Sequence, residues 1–134
     1  MTSGMKTGDT FTLVAPEVTR TVLALYAGAS GDHNPVHIDI DAARAVGIDD
    51  VFAHGMLSMA YLGRLLTDAV PQERIRSYEV RFTAITPVRA TPTCTGTVTR
   101  VEDGAAHLDL TVALPDGTVT LRGGAVIALD PATA

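Results

Sequence analysis

A chain of 134 residues with 46% hydrophobic and 19% charged side chains has enough apolar material for one core, and enough length for one domain spanning 1–134. A net charge of −5 excludes the basic footprint that nucleic acid or an anionic membrane surface requires. Cys94 stands alone, which excludes an internal disulfide or a multi-cysteine metal centre and fits a reducing, cytoplasmic compartment.

The first ten residues carry no apolar run, so no leader peptide is expected there, and no stretch approaches the roughly 18 apolar residues of a membrane span. Phe11 to Val14 reads as an opening strand, broken by Pro16 and Glu17. Thr19 is a natural N-cap for a helix carrying Val22, Leu23, Leu25 and Tyr26, which must stop by Gly28 to Gly31. Asp39 or Asp41 caps a short second helix through Ala42 to Val46, ended by Gly47. Between the two helices, Ser30-Gly31-Asp32-His33-Asn34-Pro35-Val36-His37 is too rich in turn formers for regular structure.

A third helix is expected from Gly55 to about Asp68, because Pro71 forbids much more. Its polar residues Ser58, Tyr61, Arg64 and Thr67 draw one narrow stripe, and the rest is almost wholly apolar. Such a helix is expected to be buried on nearly every side. From Ile75 the period switches to two. Tyr78, Val80, Phe82 and Ala84 share one face of a strand that Pro87 closes. Two further strands follow, one in which Thr93, Thr95, Thr97 and Thr99 alternate with Cys94, Gly96 and Val98, the other carrying Leu108, Leu110, Val112 and Leu114. Asp103-Gly104 and Pro115-Asp116-Gly117 supply the hairpin turns. In a last strand, Thr118 to Leu129, Gly123-Gly124 marks a bulge or a close backbone approach. The fold class is therefore α+β, with a curved antiparallel sheet wrapped around one long helix.

The chemistry-bearing residues lie on the loop and at the start of that helix. Asp32 and His37 offer a carboxylate and an imidazole from one loop that Pro35 stiffens, a pairing suited to proton transfer near neutral pH. Asn34 can hold the turn through backbone hydrogen bonds. Gly55 offers a bare backbone N–H at a positive helix end, where a substrate oxygen can approach and developing negative charge can be held. His54 is expected to fix the loop before the helix, Tyr26 to pack on a helix face, His33 and His107 to lie at the surface, and Cys94 to face the core. Asp32, His33, His37 and His54 would be the set for a metal, but Pro35 breaks the i,i+4 spacing two histidines want, so no metal is expected. Arg74, Arg76, Arg81 and Arg89 read as solvated charges, with attraction of an anionic carrier as a weaker role.

The stretch from Tyr26 through Ala43, the later Ala53-His54-Gly55-Met56-Leu57 and the Tyr78-Glu-Val-Arg-Phe strand resemble the MaoC-like family of R-specific hydratases and dehydratases. Within it, the chain is most similar to catalytic subunits of actinobacterial (3R)-hydroxyacyl-carrier-protein dehydratases. The resemblance implies a hot-dog fold, a homodimer or a heterodimer with another hot-dog subunit, and an acyl tunnel at the interface. It implies reversible dehydration of a (3R)-3-hydroxyacyl thioester, of coenzyme A or acyl carrier protein, to the trans-2-enoyl thioester, without a cofactor. Asp32 and His37 would be the catalytic dyad, and Gly55 would bind the thioester oxygen, with Asn34 and Ser30 as further substrate-binding candidates. Ala29 and Gly63 depart from the family pattern, the latter standing where several members carry a serine. Thioester hydrolysis or a non-catalytic partner subunit are the competing roles. Retention of both Asp32 and His37 argues against each.

Overall fold

Period-two patterning builds one antiparallel sheet in the computed structural model, which describes residues 5–129. Its strands are β1 (Thr10–Val14), β2 (Ile75–Phe82), β3 (Thr93–Glu102), β4 (Ala105–Ala113) and β5 (Val119–Ala128), in the order β1-β3-β4-β5-β2. Three helices precede β2: α1 (Arg20–Ser30), α2 (Ile40–Ala45) and α3 (Gly55–Ala69). Thr19 caps α1, its side chain accepting from the Val22 N–H at 3.0 Å, and Gly31 ends it in the left-handed conformation at φ 78°. Asp39 caps α2 by accepting from the Asp41 N–H.

The inward faces of β3, β4 and β5 carry Cys94, Val98, Leu108, Leu110, Val112, Leu121 and Ile127, all buried. They close on Leu62, Leu65 and Leu66 of α3. Each fully buried leucine contributes about 1.5–3 kcal/mol of transfer free energy, so this contact holds the helix against the sheet. Burial pushes the Cys94 thiol up to about 11, as its core position requires. A second cluster of Val18, Leu23, Val51, Ala53 and Leu57 packs α1 against the start of α3. A bidentate pair from Arg20 to Asp50, at 2.9 and 2.6 Å, clasps the same two segments. The Arg20 hydrogen bond holds the Asp50 carboxyl below its usual range, so this clasp is present at neutral pH and is lost as pH falls through that lowered value.

Three expectations change. The helix α3 is not buried all round, since Met56, Ala60, Arg64, Thr67 and Asp68 are exposed in the single chain. Its supposed polar stripe divides: Ser58 is buried, 3.5 Å from the Thr86 hydroxyl, while Arg64 and Thr67 face out. The strand β2 ends at Phe82, well before Pro87 and short of Ala84, and both Phe82 and Ala84 are exposed in the single chain. The chain there leaves the sheet because residues 86–88 pair instead with the segment before α3: the Ala53 N–H donates to the Thr86 carbonyl at 2.8 Å, and Phe52 bridges Pro87. The leader and single-domain readings extend over residues 1–4 and 130–134, which lie outside the described residues.

Gly123-Gly124 is a close approach rather than a bulge, since β2 and β5 pair in unbroken register from Ser77 to Phe82. A Cβ on Gly123 would overlap the Glu79 carbonyl oxygen and lie 2.8 Å from Val80 Cα, both fixed backbone. Gly123→Ala is therefore expected to destabilise by about 1–3 kcal/mol or more, seen as a lower urea midpoint.

Candidate active site

The loop between α1 and α2 is held by its own short polar side chains. The Asp32 N–H donates to Ser30 Oγ at 3.1 Å, the Asn34 N–H to Asp32 Oδ1 at 3.2 Å, and the Val36 N–H to Asn34 Oδ1 at 3.3 Å. Pro35 then opens a single 3-10 turn, Pro35–His37, which swings His37 inward while Asp32 stays exposed. Ser30 and Asn34 thus spend these side-chain oxygens on building the loop.

His37 is only 8% exposed. Its Nδ1 lies 2.7 Å from the Phe52 carbonyl oxygen, an acceptor, so Nδ1 carries the proton and Nε2 keeps its lone pair. His54 is 1% exposed and precedes α3, where its Nε2 lies 3.1 Å from the Asp32 carbonyl oxygen. That contact requires Nε2–H, which leaves Nδ1 as a buried lone pair without a partner. The two imidazoles stack at 4.0 Å with an angle of 26°, and Tyr26 meets His54 edge-on at 4.8 Å. Burial, then the charge of His37, lowers the His54 pKa from its ordinary value.

An Asp32 carboxylate oxygen and one nitrogen of each ring all lie within 4.8 Å of one another. His33 is exposed and stands outside this group. Near-parallel stacked rings cannot both aim an in-plane lone pair at one ion, so the arrangement suits a metal poorly. It suits proton exchange between a carboxylate and a single imidazole.

Gly55 opens α3, where a helix leaves its first N–H groups without intrahelical acceptors. The ring of Phe82 comes within 2.9 Å of where a Cβ on Gly55 would sit. A largely apolar cavity of about 270 Å³ adjoins this point, lined by Phe52, Gly55, Ser58, Phe82 and Leu121 among others. A larger opening, about 490 Å³, lies further along the outward side of α3 at Gly63, Arg64 and Tyr78. The Tyr78 hydroxyl donates to the Met59 carbonyl at 2.6 Å, and its ring sits 3.4 Å from where a Cβ on Gly63 would be.

The Phe52 carbonyl, the His37–His54 stack and the reach of Phe82 to Gly55 are not legible in the sequence. Any residue has a carbonyl, so nothing in the letters marks Phe52. The stack joins positions 17 residues apart, and only the fold brings them together.

An antiparallel sheet packed round one long helix is a hot-dog fold. The chain belongs to the family of MaoC-like domains, which it matches over residues 4–116. It is an enzyme that adds water to a substrate or removes it. It is 31% identical to 3-hydroxyacyl-thioester dehydratase Z of Mycobacterium tuberculosis over 115 residues, 81% of this chain and 74% of that one. Among solved structures it is similar to the (R)-hydratase from A. caviae involved in PHA biosynthesis, with TM-score 0.85, 23% identity, and 95% and 98% of the two chains covered. It is also similar to a chain of the ChsH1-ChsH2 complex from Mycobacterium tuberculosis, with TM-score 0.84, 23% identity, and 95% and 100% covered. Among the described residues, no helix is long and apolar enough to cross a membrane.

Proposed function

We propose that this enzyme interconverts (3R)-3-hydroxyacyl and trans-2-enoyl thioesters of coenzyme A or acyl carrier protein, with Asp32 and His37 as its acid–base dyad. In the dehydration direction the dyad removes a proton from the carbon next to the thioester carbonyl. The electron pair left behind delocalises onto the carbonyl oxygen, where the Gly55 N–H stabilises it. The pair then forms the carbon–carbon double bond as the β-hydroxyl departs, and a proton from the dyad completes the leaving water. Hydration runs the same steps in reverse. Ser30 and Asn34 hold the loop in its working shape around the substrate.

The observation that carries this reading is the His37 tautomer. The Phe52 carbonyl claims Nδ1–H, so the free lone pair at Nε2 is the one available to take a proton. The test is to add crotonyl-CoA to the purified chain and follow the absorbance of the conjugated enoyl thioester while assaying free thiol. Loss of absorbance without thiol release is the expected result. Thiol release would identify a thioesterase, and no change would remove the reading.

We propose further that the working form is a dimer, with a second copy or another hot-dog subunit. Strand β2 is a free sheet edge, and Met56 and Phe82 beside the site are more than half exposed. Light scattering is expected to give about twice the 14.0 kDa chain mass. A stable, active monomer would overturn this.

A further inference from the structure

The buried His54 is an imidazole that the dyad chemistry leaves unused. An apolar side chain would fill its place without burying a lone pair, and an unpaired buried acceptor costs stability. Compensation for that cost must come from its other nitrogen or its ring face, and both meet the dyad. Nε2 donates to the carbonyl of Asp32, the residue that carries the carboxylate. The ring face lies against His37. His54 occupies the N-cap position of α3, yet its side chain makes no capping hydrogen bond, so capping does not account for it.

We propose that His54 is a positioning residue: as a neutral ring it anchors the Asp32 backbone through Nε2–H and sets the plane of the His37 imidazole by stacking. The inference rests on the dyad assigned above. A proton on Nδ1 would be a buried donor with no acceptor, and burial together with the charge of His37 holds the His54 pKa down. Its titratable and aromatic neighbours are Asp32 and His37 from the loop and Tyr26 from α1. In the proposed reaction His37 therefore stands over a neutral aromatic face and not beside a second cation.

The test compares His54→Leu, which has neither donor nor ring, with His54→Gln, whose amide N–H reaches as Nε2–H does. Misplacing the dyad acts on the chemical step, so His54→Leu is expected to lose about tenfold or more in kcat for enoyl-thioester hydration, with KM within about threefold. His54→Gln is expected to recover at least about threefold of that loss at an equal melting temperature. A folded His54→Leu that loses less, loses only through KM, or is not improved upon by His54→Gln would overturn the inference. If neither variant folds, ¹⁵N NMR of the unaltered protein at neutral pH decides. A neutral Nε2–H tautomer for His54 supports the proposal, and an Nδ1–H tautomer or an imidazolium ends it. The enoyl-thioester assay keeps the two readings apart, because an inactive unaltered chain refutes the dyad assignment whatever tautomer the spectrum gives His54.

Discussion

Replacing Asp32 by Asn, or His37 by Asn, is expected to lower kcat for enoyl-thioester hydration by about 10²–10⁴-fold while the melting temperature stays close to that of the parent. These variants remove the proton chemistry and little else. Asn at 32 keeps the oxygen that accepts from the Asn34 N–H at 3.2 Å, so the loop retains its turn and loses only the carboxylate charge. Asn at 37 can place its amide N–H where Nδ1–H now donates to Phe52 at 2.7 Å, yet it has nothing to replace the Nε2 lone pair. Alanine would be a poorer choice at 37. It would leave a cavity against Phe52 and His54 and an unpaired Phe52 carbonyl, mixing stability with catalysis. Initial rates and thermal unfolding on the same preparations check the expectation. Near-parent turnover in either folded variant takes that residue out of the mechanism.

Such variants can be chosen because the loop's logic was largely legible in its letters, and the site's depth was not. A turn-forming string with Pro35 between a carboxylate and an imidazole specifies a short stiff loop from local sterics alone, and the loop is there. The alternation along β3, β4 and β5 was equally readable, because a sheet with one buried face repeats every second residue. What failed was the limit of β2. Its apolar alternation continues past Phe82, but residues 86–88 bond to the chain before α3, a tertiary demand that period two does not encode. The same demand turns Phe82 toward Gly55. The outward side of α3 misled for a related reason: apolar residues mark a surface that must be covered, without saying whether the cover is this chain or another.

Gly55→Val is expected to cut kcat/KM by about 10²–10³-fold, the range typical of a lost oxyanion donor, because its side chain keeps the thioester oxygen from the backbone N–H. Phe82 complicates the simple substitution. A Cβ at 55 would come 2.9 Å from the Phe82 ring, so part of any loss could come from displacing that ring. Phe82 is 53% exposed in the single chain, so moving its ring does not open this chain's own core. Phe82→Ala clears the space and leaves both the dyad and the Gly55 N–H in place. The informative comparison is therefore Gly55→Val in the Phe82→Ala background against Phe82→Ala alone. If position 55 must stay bare for the substrate, the loss of about 10²-fold or more persists after the ring is gone. A packing role for Gly55 would instead show as a lowered melting temperature in the single variant, restored in the double one, with turnover restored alongside it. A double variant that hydrates the enoyl thioester as fast as Phe82→Ala places the oxyanion donor somewhere other than the start of α3.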